Sequence, residues 1–175
     1  MRNGDVSFWY ADAGGLPPRR PPLDGDTTAY VCIVGAGYTG LWTAYTLKAL
    51  DPGLDVLVVE REFAGFGASG RNGGWLTGGF ACVDEIIAVA ESEGIEADIL
   101  RTEEIMVAVN AGQMARARAE VATRHSWGVP EDRVRLIGAD ETRARLDVPG
   151  VQGAMLIEGM ARVQPAKLVR GLAAA

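Results

Sequence analysis

The sequence has few of the residues that build metal centres and disulfide frameworks. Its 175 residues include two cysteines and one histidine. Cys32, in a predicted buried strand, and Cys82 have no metal-binding or disulfide spacing, which favours a reducing compartment. His125 lies near the end of a predicted helix, so we expect a surface residue without a catalytic role. We therefore expect no bound metal and a cytoplasmic location.

The sequence also lacks long apolar runs and an excess of positive charge. The net charge is −6 and no basic stripe is visible, which gives a nucleic-acid partner no electrostatic support. No apolar run approaches the length of about 20 residues that spans a bilayer. Arg19-Arg20 is followed by two prolines, not by the apolar segment of an export signal. We expect a small-molecule partner, no nucleic acid and no membrane, and the oligomeric state stays open.

An ordered series of local signals runs from residue 30 to residue 60. The apolar run Tyr30–Val34 predicts a buried parallel strand, and the residues that follow it read G-x-G-x-x-G. Leu41–Leu50 has apolar residues at helical spacing, and Asp55–Val59 predicts a second strand. Strand, glycine turn, helix and strand in this order predict a βαβ unit that binds a dinucleotide.

Each glycine of the turn has a physical role in such a unit. Gly35 permits the tight turn, Gly37 lets a pyrophosphate approach the backbone, and Gly40 lets the helix pack close to the strand. The helix N-terminus offers free N–H groups to phosphates. Glu60 follows Gly40 by 20 residues, where an acidic side chain accepts hydrogen bonds from a ribose. The alternative is a structural glycine turn in another kind of α/β unit.

A second glycine-rich segment follows the second strand, where an NAD-binding domain usually enters a helix. Residues 65–75 contain five glycines, so their backbone can pass close to a flat ligand. Ser69, Arg71 and Asn72 add a hydroxyl, a cation and an amide. The alternative is a flexible surface loop.

The segment from Tyr30 to Trp75 resembles the N-terminal FAD-binding segment of the D-amino-acid-oxidase-like (DAO) flavoproteins, which oxidise amines and amino acids. Within that family, residues 66–74 (FGASGRNGG) are most similar to the gamma-glutamylputrescine oxidoreductase branch. Ser7–Tyr10 resembles an aromatic segment at the start of that branch, and we expect it to anchor the arm on the outside of the domain. Gly159–Leu172 resembles the family's return into the FAD domain.

The resemblance implies an FAD-dependent enzyme that oxidises the C–N bond of a gamma-glutamylputrescine-like or glycine-like substrate to an imine, which then hydrolyses. It assigns no catalytic acid or base. An NAD(P)-dependent dehydrogenase stays open because Arg61 can meet a 2′-phosphate, and so does an inactive nucleotide-binding remnant. The resemblance implies that the pyrophosphate is held by Gly35, Gly37, Tyr38, Thr39 and Gly40. It implies that the adenosine end is held by Glu60 and Arg61. The residues implied on the flavin side are Ser69, Gly70, Arg71, Asn72, Gly73 and Gly74.

The predicted fold class is α/β: a Rossmann-like FAD-binding βαβ unit with a partial α+β substrate-domain insertion, truncated. Family members are longer, so we expect an N-terminal portion with exposed apolar strand edges and no independent activity. The first two predicted divisions are an extended arm without helix (residues 1–27) and the FAD-binding unit with its glycine-rich loop (28–82). The other two are the helical and strand part of the substrate domain (83–158) and the return helix (159–175).

Apolar spacing also predicts the elements of the substrate domain. Leu100, Val107, Met114 and Val121 recur every seven residues, which predicts one long helix over about residues 96–124. Asp140 is expected to cap a short helix, and Gly159 to end the last strand. The remaining predictions are helices over 84–92, 140–146 and from Pro165 to the end, and strands over 133–137 and 151–158.

Overall fold

The computed structural model describes residues 6–77 and 80–175. Helices and strands alternate along most of the chain. In order they are α1 (Phe8–Asp12), β1 (Val31–Val34), α2 (Tyr38–Leu50), β2 (Val56–Val59), a 3-10 helix (Ala68–Gly70), β3 (Trp75–Leu76), α3 (Phe80–Ser92), β4 (Leu100–Ala108), α4 (Ala111–Ser126), β5 (Val134–Gly138), α5 (Ala139–Arg145), β6 (Gly153–Arg162) and α6 (Pro165–Leu172).

Contacts divide the chain into two compact units. The first comprises Met1–Trp75, Glu85–Ile99 and Arg162–Ala175, and the second comprises Leu76–Asp84 and Leu100–Ala161. Contacts thus place residues 85–99 with the βαβ segment, although the sequence grouped them with the substrate domain. The functional assignment of the predicted domains stays a prediction.

The βαβ unit predicted from the sequence is present in the first unit. Strands β1 and β2 pair in parallel, from Val31 opposite Val56 to Val34 opposite Val59. Gly35 leaves β1 with a φ of +103°, a conformation that favours glycine. A Cβ on Gly40 would overlap the carbonyl oxygen of Gly35, so only glycine lets α2 pack this closely on the turn. The α/β fold class is therefore confirmed.

Strand β1 is less buried than the sequence predicted. The side chain of Val34 is 86% exposed, and Cys32 is also exposed. Among the described residues, β1 pairs with β2 alone, so the second edge of β1 is open. The prediction of a buried strand is wrong here, whereas the expectation of exposed apolar strand edges agrees with the structure.

The N-terminal arm contains a helix that the sequence did not predict. Helix α1 follows Ser7, and from Ala13 to Tyr30 the arm has neither helix nor strand. Tyr10 in α1 is completely buried, although Phe8 beside it is largely exposed. The expectation of a wholly extended arm failed because distant residues, not local propensity, bury this aromatic side chain.

The second unit is built on β6. Strand β5 runs antiparallel to β6, from Val134 opposite Ile157 to Gly138 opposite Gly153, and β4 is also hydrogen-bonded to β6. Alternate residues of β6 point to opposite faces of the sheet. One face contributes Met155 and Ile157 to a core with Val121 of α4 and Val134, and the other packs Ala154 and Leu156 with Ile137.

The single long helix predicted over residues 96–124 is wrong. Strand β4 and helix α4 occupy this region, so Leu100 and Val107 are strand residues. The break was visible as a capping pattern. Asn110 Oδ1 accepts a hydrogen bond from the backbone N–H of Gln113 at 2.9 Å, and Gln113 Oε1 accepts one from Val109 N–H at 2.7 Å.

The other predicted elements are present with shifted ends. Helix α5 is capped by Gly138, not by Asp140, which lies in the first turn and pairs with Arg143. Strand β6 continues past Gly159, because glycine adopts its φ of +76° without strain. Helix α6 begins at Pro165 as predicted.

His125, predicted as a surface residue, has a hydrogen-bond partner in the protein. It is half-buried, and its Nε2 lies 2.8 Å from the carbonyl oxygen of Val134, to which it donates. Its contact is therefore structural, between the end of α4 and the start of β5.

Candidate functional site

The turn between β1 and α2 presents bare main chain. The N-cap of α2 is Gly37, which has no side chain to satisfy the first-turn N–H groups, and helix geometry leaves these groups without acceptors inside the helix. No described atom lies within 4 Å of a Cβ built on Gly35. The turn therefore offers N–H donors and a partial positive charge, which suits a phosphate group.

The glycine-rich loop meets this turn. Ser69 Oγ accepts a hydrogen bond from Tyr38 N–H at 2.8 Å, and a Cβ on Gly37 would lie 3.0 Å from the same oxygen. Gly65 N–H donates to the carbonyl oxygen of Ala36 at 2.8 Å. Two segments that the sequence predicted to share one ligand are thus in direct contact.

Glu60 lies at the end of β2 and is held by the main chain. Its Oε2 accepts a hydrogen bond from Ala36 N–H, and its Oε1 accepts one from Glu62 N–H, each at 3.0 Å. Partial burial raises the pKa of Glu60, but the backbone N–H donors outweigh it, so the net pKa lies below its ordinary value. The carboxylate is ionised at neutral pH, and its remaining lone pairs can accept hydroxyl protons of a ribose.

Arg61 is a largely exposed residue of the predicted site. Its side chain is 85% exposed, and its Nε lies 3.4 Å from Glu62 Oε1. Glu62 also pairs with Arg19. The predicted contact of Arg61 with the adenosine end stays a prediction.

Arg71 and Asn72 shape the loop that contains them. Arg71 Nε donates to the carbonyl oxygen of Phe66 at 2.8 Å, and its guanidinium carbon lies 4.7 Å from the centre of the Phe66 ring. Asn72 Nδ2 donates to Ser69 O at 2.9 Å, and its Oδ1 accepts from Gly74 N–H at 2.8 Å. Their predicted contact with the flavin side stays a prediction.

The loop glycines at 70, 73 and 74 have protein neighbours. A Cβ on Gly70 would overlap the hydroxyl of Tyr10, and one on Gly74 would overlap the carbonyl oxygen of Val163. A Cβ on Gly73 would lie 3.1 Å from Trp75 Cδ1. Packing within the protein therefore already requires small residues at Gly70 and Gly74, whatever ligand the loop contacts.

Tyr38 contributes to the turn through its main chain. Its side chain extends away to α6, where the hydroxyl donates to the carbonyl oxygen of Pro165 at 3.0 Å. Burial raises the pKa of Tyr38 well above its ordinary value, although a hydrogen bond with the side chain of Asn72 acts in the opposite direction. The phenol is therefore neutral and fixes the start of α2 to the start of α6.

Sequence reasoning missed the part that Ser7, Trp9 and Tyr10 take in this site. All three side chains donate hydrogen bonds to carbonyl oxygens of residues 64–72. The signal was the aromatic cluster itself, which the sequence placed on the outside of the domain without a contact partner.

The described residues form neither a metal-ion site nor a membrane-spanning helix. Within residues 6–77 and 80–175, no group of His, Cys, Asp and Glu side chains is arranged to hold a metal ion. No helix in the same ranges is both long and apolar enough to cross a bilayer.

The chain is similar in sequence to curated bacterial oxidoreductases. Gamma-glutamylputrescine oxidoreductase of Escherichia coli K12 is 38% identical over 96 residues, which cover 55% of this chain and 21% of that protein. The chain therefore matches about a fifth of the length of this relative.

Two solved structures have the same fold over most of the chain. Glycine oxidase from Bacillus cereus superposes with a TM-score of 0.68 at 19% identity, over 84% of this chain and 43% of its own. L-Amino acid deaminase from Proteus myxofaciens superposes with a TM-score of 0.75 at 20% identity, over 91% of this chain and 38% of the deaminase chain. At these identities the likeness shows the fold alone.

The family model described as DAO, FAD dependent oxidoreductase, matches residues 30–175. This range includes the βαβ turn, the glycine-rich loop and α6, and it leaves out α1. The resemblance seen in the sequence is thereby confirmed, and an NAD(P)-dependent dehydrogenase is set aside. The chain belongs to the DAO family of FAD-dependent oxidoreductases.

Proposed function

We propose that this chain forms the FAD-binding part of an oxidoreductase that oxidises the C–N bond of an amine or amino acid to an imine, which then hydrolyses. The observation that carries the proposal is the hydrogen bond from Tyr38 N–H to Ser69 Oγ. It brings the glycine-rich loop to the phosphate-binding end of α2, so that one extended ligand can contact both segments.

The described residues fit the charged middle of FAD. A pyrophosphate needs main-chain donors and close approach to the backbone, and the turn from Gly35 to Gly40 offers both. Ser69 Oγ is placed to donate its own proton to a phosphate oxygen while it accepts from Tyr38 N–H. Glu60 is ionised and held in place, ready to accept from the adenosine ribose.

The protein's part is binding and orientation. Bound FAD supplies the redox chemistry, the acceptance of a hydride equivalent from the substrate carbon next to nitrogen. The main chain of residues 35–40 holds the phosphates, and the loop at residues 65–74 supports the side nearer the flavin. We assign no acid or base among the described residues.

A gamma-glutamylputrescine-like amine is the substrate class that we favour. The support is the 38% identity over 96 residues with gamma-glutamylputrescine oxidoreductase. A glycine-like amino acid is the second candidate, supported by the shared fold. Because the aligned part is 21% of the relative's length, we expect residues 1–175 to bind FAD but not to turn over substrate. A cytoplasmic location stays a prediction.

The test is a titration of the purified 175-residue chain with FAD and, separately, with NADH. We expect FAD fluorescence to be quenched with saturation, and NADH to show no saturable binding. Saturable binding of NADH without FAD would contradict the proposal. Binding of neither nucleotide would also contradict it, and would favour an inactive remnant that binds nucleotide weakly or not at all. Addition of gamma-glutamylputrescine or glycine to the FAD complex under anaerobic conditions tests turnover, which would appear as bleaching of the flavin absorbance.

A further inference from the structure

We propose that α1 and the residue before it form a clamp that holds the glycine-rich loop in its FAD-binding conformation. This inference rests on the proposed function. It assigns Ser7, Trp9 and Tyr10 as positioning residues, which act through the loop and not by contact with the cofactor. The segment lies outside residues 30–175, which match the family model.

Three donors of the clamp bind three carbonyl oxygens, two in the loop and one at Ala64, just before it. Ser7 Oγ donates to Gly70 O at 2.8 Å, Trp9 Nε1 donates to Asn72 O at 2.7 Å, and the Tyr10 hydroxyl donates to Ala64 O at 3.3 Å. The acceptors span residues 64–72, so the clamp holds both sides of the 3-10 helix that places Ser69 on α2.

The loop is shaped to receive Tyr10. The side chain of Tyr10 has 0% exposure and meets the ring of Phe63 edge to face, with 5.3 Å between ring centres. A Cβ on Gly65 would lie 2.7 Å from the Tyr10 hydroxyl, and one on Gly70 would overlap it. These two glycines therefore make room for a residue that lies more than fifty positions earlier in the chain.

The clamp is itself fixed to α6. Gln164, which is 3% exposed, donates from Nε2 to Trp9 O at 2.7 Å and to Asp12 Oδ2 at 3.2 Å. Its Oε1 accepts from Lys167 N–H at 2.9 Å and so caps α6. One buried side chain thus joins the clamp to a helix of the same compact unit.

The clamp lowers the entropic cost of cofactor binding. A segment with five glycines samples many backbone conformations when it is free. A ligand that must order this segment binds less tightly, because the lost conformational entropy opposes binding. Contacts that order the segment beforehand recover that affinity without touching the ligand. The clamp therefore favours one loop conformation, the one in which Ser69 reaches Tyr38 N–H.

The test removes the three donors and keeps the packing. The variant Ser7→Ala, Trp9→Phe, Tyr10→Phe in the 175-residue chain is compared with the control Tyr45→Phe, Ser92→Ala. The control loses two exposed hydrogen bonds of the same compact unit, to Glu93 and to Val89 O, that do not involve the loop. Hydrogen exchange is followed at loop amides with bonded N–H groups, namely Gly65, Gly70, Arg71 and Gly74.

We expect the loop amides to exchange about tenfold faster in the triple variant, because several modest hydrogen bonds are lost together. The amide of Gly35, which donates to Val59 O, should exchange at the wild-type rate. The dissociation constant for FAD should rise about tenfold. In the control, neither exchange nor FAD affinity should change.

Unchanged loop exchange in the triple variant would overturn the clamp. Faster exchange with unchanged FAD affinity would overturn its role in cofactor binding. If the triple variant does not fold, the single variant Trp9→Phe tests the clamp. This variant removes only one donor, from an exposed hydrogen bond. We expect about threefold faster exchange near Asn72 in that variant, and no change there would reject the clamp. If the wild-type chain binds no FAD, the proposed function fails, whereas the exchange measurement still decides the clamp.

Discussion

Ala36 N–H donates to Glu60 Oε2 at 3.0 Å, a hydrogen bond that joins the turn after β1 to the end of β2. A second backbone donor, Glu62 N–H, holds the other oxygen of the same carboxylate. Adjacent parallel strands end at the same edge of a sheet, so both partners lie beside the mouth of the βαβ turn. The acid that the sequence assigned to a ribose therefore also closes the turn.

Glu60→Gln should destabilise the protein in a pH-dependent way. Burial raises the pKa of Glu60 and the backbone donors outweigh it, so the folded-state pKa lies below the unfolded value. The stabilisation is then fully present above the unfolded pKa and is lost as the pH falls through the folded pKa. In urea unfolding, we expect a loss of about 0.5–1 kcal/mol at neutral pH.

The difference in unfolding free energy between Glu60→Gln and wild type should shrink as the pH falls below the ordinary glutamate pKa of about 4.3. Glu91→Gln is the control, because Glu91 is exposed on the last turn of α3. If Glu60→Gln lost the same unfolding free energy at all pH values, the link between the ionisation of Glu60 and stability would be contradicted.

Gly37→Val should remove FAD binding and leave the fold intact. A Cβ at this position already lies 3.0 Å from Ser69 Oγ, and the branched valine adds methyl groups at the turn that we propose to bind the phosphates. We expect the FAD dissociation constant to rise by about a hundredfold or more, since close backbone approach is what the glycine provides. Circular dichroism should match wild type.

Gly138→Ala is the matched control for Gly37→Val, because Gly138 ends β5 and is not part of the proposed FAD site. No described atom lies within 4 Å of a Cβ at Gly138, and its extended backbone, with a φ of −75°, suits alanine. We expect FAD titrations of this variant to follow wild type. Equal FAD affinities for Gly37→Val and Gly138→Ala would show that the turn does not hold the phosphates.

Ser69→Ala should weaken both the loop and the cofactor site. The change leaves Tyr38 N–H without its acceptor, which is the loss of a helix N-cap supplied from another segment. We expect about 1 kcal/mol less stability toward urea, as for other N-cap serines. FAD affinity should fall about fivefold to tenfold, because one hydroxyl contact is worth about 1 kcal/mol.

Ser92→Ala provides the comparison for Ser69→Ala. The hydroxyl of Ser92 donates to Val89 O in an exposed part of α3, away from the turn. Its removal should leave FAD affinity unchanged. If the two serine variants bind FAD equally well, Ser69 has no role in the site.

Asn110→Ala tests the boundary between β4 and α4. Asn110 Oδ1 caps the N-terminus of α4, so its loss should destabilise the second unit by about 1 kcal/mol in urea unfolding. The control Ser126→Ala removes a hydroxyl that donates to Thr123 O at the other end of α4. If Asn110→Ala is no less stable than this control, the capping contact does not contribute.

Local patterns in the sequence were enough to predict the βαβ unit. Gly35 and Gly40 act on neighbours within a few residues, and β1 and β2 differ from α2 in apolar spacing, so adjacent residues contain the necessary information. The same reasoning failed for β4. Seven-residue spacing of apolar residues fits a helix, but pairing with β6 decides the strand, and that pairing lies more than forty residues away.

What the sequence determined about this protein is its family, its α/β class and the glycine turn between β1 and α2, because glycine spacing and strand composition are local properties. Only the tertiary structure decided which residues hold the second loop. The burial of Tyr10 against Gly65 and Gly70, and the contact of Ser69 with Tyr38, join segments far apart in the chain. No local propensity encodes such contacts, since their free energy comes from burial and hydrogen bonds that exist only after the chain has folded.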